Sequence, residues 1–438
     1  MRRLPCVLLL LGIVLEAWAR PAAADERHLI LVSIDGLRPE LYLDPASPAR
    51  EIAALADRGA RARAAEPVFP SVTYPNHASI VTGVRPARHG ILFNVLFEPD
   101  GRRGRWYERA ADLRATPIWE WARAAGLRTA AVAWPSTVGA RIDQLVPERD
   151  YYARRAPLDA LLEAATPGLF DRLAAPPRPG AFQDPIAWDE FTTRTAAAMI
   201  RAARPHLTLL HLVQLDHVQH RGGVRGAEVL PALARIDGHI GSLVRAAREA
   251  GIAERALLIV TGDHGFEDMR ELVFPNEVLA RAGLRGCPAA GPGWQATAHV
   301  AGGAAAVFAE PPDDPGLVAK VETALRREAA GRYRVLTRRE LDDLGAMTGA
   351  ALGIEAAPGH GLAGSCGRGL TQAHAGGTHG YLPSRPGMAT GFVAAGAGVR
   401  AGVALERIRL IDVAPTAARL LGLTPPPVEG RVLDEIVQ

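Results

Sequence analysis

The sequence predicts an α/β protein: a mostly parallel central sheet flanked by helices, with a smaller inserted α+β subdomain. Three observations predict it. Short apolar, β-branched runs alternate with segments of helical periodicity, which calls for strands buried on both faces of a parallel sheet. Several of these runs end in Asp- or His-bearing turns, at the carboxyl ends where open α/β sheets carry functional groups. Between residues 267 and 372 the alternation fades while Gly and Pro become dense, as expected of an insertion. The division is therefore 1–24, then a main domain of 25–266 and 373–438, interrupted by 267–372.

The elements follow in order. Residues 1–24 read as a secretory signal: Arg2-Arg3, an apolar stretch from Val7 to Val14, then Pro21-Ala22-Ala23-Ala24 before Asp25. Such a chain is exported, periplasmic or secreted, with a retained N-terminal anchor as the alternative. No later stretch is apolar enough to be a transmembrane segment in the mature chain. His28–Ile34 is a buried strand ending at Asp35, and Pro48–Arg58 a helix stopped by Gly59. Pro67–Pro75 holds three prolines and reads as a loop, with a helix from Asn76 to Thr82. Thr116–Ala125 is a helix and Thr129–Trp134 a strand. Tyr151–Trp188, rich in Pro and Ala, wraps the surface. Leu207–Gln214 and Ala256–Thr261 are buried strands around a helix at Val229–Glu249. The insertion holds helices near Asp314–Ala329 and Arg338–Leu344 and a strand at Ala304–Ala309. Thr390–Ala395 and Asp412–Leu421 return to the main body as strand and helix.

Composition narrows the function. The 438 residues, 48% hydrophobic and 22% charged, can build a large core. A formal net charge of +3 argues against a nucleic-acid groove built on bulk charge. Arginine dominates the bases, and Lys320 is the one lysine. Removal of the signal takes Cys6 and leaves Cys287 and Cys366, which an oxidising compartment could join; two free buried thiols are the other reading.

The candidate chemistry lies in five clusters. Asp35 precedes Gly36 at a strand end, which as a lone feature is equally a turn cap. Thr73 lies just before a helix start, whose free N–H groups suit an N-cap or a bound phosphate. Asp216 and His220 are four apart, on one face of a helical turn. His217 and His211 compete nearby, and His211 reads by default as a core histidine. Asp263-His264 sits between Gly262 and Gly265, and His379 between Gly377 and Gly380, with His374 its neighbour. Aspartate and histidine in this mixture are the N/O donors that zinc takes at catalytic sites. Two such ions would clamp an in-line displacement at phosphorus, with the threonine hydroxyl as nucleophile.

In order along the chain, these segments resemble the type I phosphodiesterase/nucleotide pyrophosphatase family of the alkaline phosphatase superfamily. The resemblance rests on Val32-Ser33-Ile34-Asp35-Gly36-Leu37-Arg38, Phe69-Pro70-Ser71-Val72-Thr73-Tyr74-Pro75-Asn76-His77, Val81-Thr82-Gly83 and His89-Gly90-Ile91. It continues through Asp216-His217-Val218-Gln219-His220, Thr261-Gly262-Asp263-His264-Gly265 and Gly377-Thr378-His379-Gly380-Tyr381. It implies an alkaline phosphatase-like fold and two Zn2+ ions. One would be held by Asp216, His220 and His379, the other by Asp35, Asp263, His264 and the Thr73 oxygen. It implies attack by Thr73 to form a phospho-threonine intermediate, and a small phosphodiester or nucleotide substrate. Asn94 would bind a non-bridging phosphate oxygen; Tyr74 and Trp134 would contact the substrate. The alternatives on the same centre are a phosphomonoesterase, which usually adds a lysine absent from these motifs, and a phosphonate hydrolase. A phosphotransferase would call for transmembrane helices, and a non-catalytic binding protein for a lost ligand; the sequence offers neither.

Overall fold

A computed structural model of the chain describes residues 27–98, 104–149, 157–174, 184–287 and 294–438. The expected secretory signal and Cys6 lie outside the described residues. Before the insertion come β1 (His28–Ile34), β2 (Ala60–Glu66), β3 (Thr129–Val132), β4 (Gln144–Val146), β5 (Leu207–Leu212) and β6 (Ala256–Thr261). Then follow β7 (Glu267–Val273), β8 (Ala296–Ala301), β9 (Ala304–Ala309), β10 (Tyr333–Leu336), β11 (Leu352–Ala356), β12 (Gly359–Leu362) and β13 (Thr371–Thr378). The chain finishes with β14 (Thr390–Gly396), β15 (Val403–Leu405) and β16 (Ile408–Arg409).

The main sheet runs β15-β2-β14-β6-β1-β5-β3-β4, with β16 beside β2. Strands β6, β1, β5, β3 and β4 are parallel, while β14 enters antiparallel between β6 and β2. Every residue of β1 is buried. Its alternate side chains feed two cores: Ile30, Val32 and Ile34 pack with Leu210, Ile236 and Leu243 on one face. Leu29 and Leu31 pack with Leu209, Trp119 and Ala417 on the other. Each such side chain contributes roughly 1.5–3 kcal/mol by leaving water. That two-sided burial is why β1, β5 and β6 read as unbroken apolar runs.

Two smaller sheets, β10-β11-β9-β8 and β12-β7-β13, lie beside the main one. Val307, Ile354, Leu325 and Val321 build a separate core there, against the helix Pro315–Ala329. The second helix expected in this region is Arg338–Asp343. Cys287 and Cys366 are joined in a disulfide, with Cα atoms 5.8 Å apart. The expected junction at 372/373 falls within β13, which pairs with β7.

The structure corrects one helix boundary and fills in two further segments. The helix carrying the candidate nucleophile begins at Thr73, not Asn76, because Pro75 falls in the first turn, where a missing N–H costs nothing. Within Tyr151–Trp188 the described residues form helices Pro157–Ala164, Leu169–Leu173 and the start of Pro185–Ala203; residues 150–156 and 175–183 lie outside the description. The last helix is opened by Asp184, whose carboxylate accepts the Ile186 N–H at 3.0 Å, followed by Pro185 at the first helical position. Strand β2, Ala-Arg-Ala-Arg-Ala-Ala-Glu, has weak β-propensity and exists through pairing with β14, β15 and β16. Among the described residues, no helix is long and apolar enough to cross a membrane.

Candidate metal centre

The carboxyl ends of β1, β5 and β6 deliver Asp35, the helix Gln214–Gly222 with Asp216 and His220, and Asp263-His264 to one place. The turn after β13 adds His379. A cavity of about 420 Å³ is lined by Asp35, Thr73, Asn94, Asp216, His220 and His379. Asp263 and His264 are fully buried.

Local geometry explains the convergence. Gly36 turns at φ +71°, and its N–H donates to Asp263 Oδ1 at 3.1 Å. A Cβ there would lie 2.8 Å from Gln219 Nε2, so glycine alone permits both the turn and the contact. Buried Asp189, on helix Pro185–Ala203, accepts the Val213 N–H at 2.8 Å and the Gln214 N–H at 3.0 Å. It thereby caps the helix bearing Asp216 and His220. Burial pushes its carboxyl up to about 7 against those two hydrogen bonds. Ahead of Thr73, Asn76 accepts the Val68 N–H at 2.7 Å and donates to the Val72 carbonyl at 2.9 Å.

The site is defined by unpartnered atoms. Asp35 Oδ1, Asp216 Oδ1, Asp263 Oδ2 and His264 Nε2 are buried without a hydrogen-bond partner among the described residues. His264 Nε2 lies 3.2 Å from Asp35 Oδ1 and 3.3 Å from Asp263 Oδ2. Asp216 Oδ1 lies 3.3 Å from His220 Nε2 and 3.6 Å from His379 Nε2. The Nδ1 atoms of His220, His264 and His379 meet the carbonyls of Gly377, Gly265 and Ser71 at 3.0, 3.1 and 2.9 Å. Anchoring one ring nitrogen on a carbonyl leaves the other as a ligand atom, the outer-shell arrangement of metal-binding histidines. Two groups have ligand atoms all within 4.8 Å: Asp35, Asp263 and His264, and Asp216, His264 and His379. His264 thus belongs to both, its ring stacked on His379 at 3.6 Å, while His220 joins through Asp216.

Electrostatics point to a cation. Burial opposes charge on Asp35, yet the hydrogen bond from His211 and the nearby His264 ring hold its carboxyl well below the usual range. Asp263 is pushed up, first by burial and then by the Asp35 charge. Burial opposes a proton on His264, but Asp263 and Asp35 outweigh it and raise the ring to about 9. Closely packed buried carboxylates with open lone pairs are costly unless protons or cations neutralise them. Divalent cations fit this donor set.

The remaining expected residues divide. Asn94 lines the cavity, and its Oδ1 accepts the Tyr74 N–H at 2.9 Å, which leaves its amide hydrogens to donate. Tyr74 borders the cavity but is 1% exposed, packed with Ala78 and Ile91, its ring 5.3 Å from Trp106. Trp134 corrects an expectation. It is fully buried in the core and meets His77 edge-on at 5.0 Å, so it supports the site from beneath and offers no face to a substrate. His211 is buried as expected of a core histidine, yet it also lines the cavity beside Asp35. Sequence reasoning missed Trp106, Glu148, Arg149 and Trp188 on the cavity wall. Glu148 and Arg149 follow β4, a three-residue strand too short to register as a period. Its carboxyl end was the signal.

The family model described as Type I phosphodiesterase / nucleotide pyrophosphatase matches residues 29–382. Human ectonucleotide pyrophosphatase/phosphodiesterase family member 1 is 26% identical over 273 residues, 59% of this chain and 26% of that protein. Venom phosphodiesterase 2 of Crotalus adamanteus is 23% identical over 261 residues, 57% of this chain and 28% of that protein. The chain thus spans about a quarter of the length of these relatives. Among solved structures, human ectonucleotide pyrophosphatase/phosphodiesterase 5 superposes with a TM-score of 0.69 at 21% identity, covering 94% of this chain and all of that one. An inactive threonine-to-alanine form of the murine protein, solved with AMP, gives 0.69 at 20% identity and 94% coverage of this chain.

Proposed function

Because this chain belongs to the type I phosphodiesterase/nucleotide pyrophosphatase family, we propose that it hydrolyses phosphodiester or pyrophosphate bonds of small nucleotide-type substrates. One observation carries the reading: two carboxylate–imidazole groups share His264 beside a threonine that opens a helix in a cavity. Asp216, His220 and His379 would hold one zinc ion; Asp35, Asp263, His264 and the Thr73 hydroxyl would hold the other. When bound, the two ions neutralise the attacking hydroxyl and the departing oxygen.

Thr73 attacks phosphorus through its Oγ1. A bond from that oxygen to phosphorus forms as the bond to the leaving group breaks, and water later cleaves the phospho-threonine. Asn94, fixed through Tyr74, donates its amide N–H to a non-bridging phosphate oxygen. The start of helix Thr73–Thr82 adds its partial positive charge. Tyr74 and Trp106 border the place for the leaving group or base. AMP bound to the murine relative supports a nucleotide. The disulfide supports an exported protein, periplasmic or secreted. The described residues of 267–372 form an inserted subdomain, whose core is completed by Tyr381 and Met388.

The phosphomonoesterase reading is weaker. Lys320 is exposed on the helix Pro315–Ala329, and the cavity's Arg149 donates to Ala160 and faces Glu108 at 3.6 Å. The deciding assay measures hydrolysis of bis- and mono-p-nitrophenyl phosphate and the p-nitrophenyl ester of thymidine 5′-monophosphate, with and without chelator. We expect diester preference and loss of activity on metal removal. Preference for the monoester, or full activity in chelator, overturns the reading.

A further inference from the structure

We propose that His211 and Glu148 form a positioning pair that locks the Asp35 carboxylate toward its cation, a role that rests on the metal-centre reading above. His211 lies on β5, opposite Ser33 of β1, two residues before Asp35. Both of its ring nitrogens reach carboxylates: Nδ1 lies 2.6 Å from Glu148 Oε2, and Nε2 lies 3.2 Å from Asp35 Oδ2. Asp35 therefore spends Oδ2 on His211 and keeps Oδ1, buried and unpartnered, 3.2 Å from His264 Nε2. A carboxylate held by one oxygen cannot rotate away from the ligand direction.

The ring is itself held. It is fully buried, and His77 packs against it at 4.2 Å between centroids, with His77 Nδ1 2.9 Å from the Thr73 carbonyl. Glu148 enters from the segment after β4 and closes the chain of contacts at the cavity wall, 16% exposed. A histidine that merely filled the core would need no carboxylate on each side. Here the two carboxylates bracket it between the cavity and a proposed ligand. No sequence motif announced the pair, because its members come from two different strands' ends.

The test is zinc titration of the full chain against a chromophoric chelator, which makes no assumption about substrate, alongside kcat and KM on a diester. His211→Phe keeps the ring volume and removes both hydrogen bonds. It should weaken the Asp35-side site about 10–100-fold, leave the other site unchanged, and lower kcat more than it raises KM. Glu148→Gln retains an acceptor for Nδ1 and should stay within about threefold of wild type, while Glu148→Ala should fall with His211→Phe. Glu148 lies at the cavity wall, so its variants remain informative if His211→Phe fails to fold. Wild-type zinc affinity in both His211→Phe and Glu148→Ala, or equal loss at both sites, overturns the pair. A wild-type protein that binds no zinc overturns the metal-centre reading as well.

Discussion

A threonine hydroxyl is a weak nucleophile in water, so what Thr73 can do depends on its neighbours. Its side chain faces a cavity shared with Asp35, Asp216 and His379, and its carbonyl meets His77 Nδ1 at 2.9 Å. Thr73→Ala should cut turnover by at least about a thousandfold, while zinc content and melting temperature stay near wild type. Elemental analysis and steady-state kinetics check this; a wild-type rate in the variant would remove Thr73 from the reaction. At this scale the sequence was informative where a functional side chain follows a strand or precedes a helix. Asp35, Asp216, Asp263 and Thr73 all do. Its signal was weak for Glu148, which follows a three-residue strand, absent for Trp106, and misleading for Trp134, whose bulk fills the core.

Helix Gln214–Gly222 stands where it does because another helix caps it. Asp189 has a folded pKa of about 7 against an ordinary 3.8, burial being the main cause. Between those values the folded chain holds a proton that the unfolded chain has lost. Stability from this group is therefore whole below about pH 4 and falls as pH rises toward 7, by roughly 1.4 kcal/mol per unit. Asp189→Asn cannot titrate, so its stability relative to wild type should improve from pH 4 to pH 7, read by urea unfolding at both values. A constant difference would refute the shift. The turn after β6 is equally constrained: a Cβ on Gly262 would sit 2.0 Å from Thr390 Oγ1. Gly262→Ala should cost about 1–3 kcal/mol by overpacking and loosen Asp263, seen as a lower denaturation midpoint and weaker zinc binding. Long apolar strands and long amphipathic helices were legible; β1, β6, β9 and the helix Val229–Glu249 occur at the residues expected. The strands around β9 were not, because their Ala- and Gly-rich runs acquire strand geometry only from their partners.

At the level of the whole molecule, the disulfide joins residues 79 apart. Restricting the unfolded chain across that span is worth on the order of 4 kcal/mol in the loop-entropy treatment. Reduction, or Cys287→Ser with Cys366→Ser, should lower the melting temperature while leaving the metal ligands in place; an unchanged melting temperature would show the bond to be dispensable. The parallel sheet could be read ahead of the structure because two covered faces demand continuous hydrophobicity. The antiparallel entry of β14 could not, since β14 is covered on both faces like its parallel neighbours and carries the same unbroken apolar run. The route of the chain also sets a schedule. The proposed ligands begin at Asp35 and finish with His379, whose Nδ1 is seated on Ser71 and whose carbonyl takes the Gly303 N–H at 2.7 Å. A ribosome releasing this polypeptide from its first residue onward emits most of it before the last imidazole emerges. The proposed centre is therefore completed only late in synthesis, when the far loops can meet.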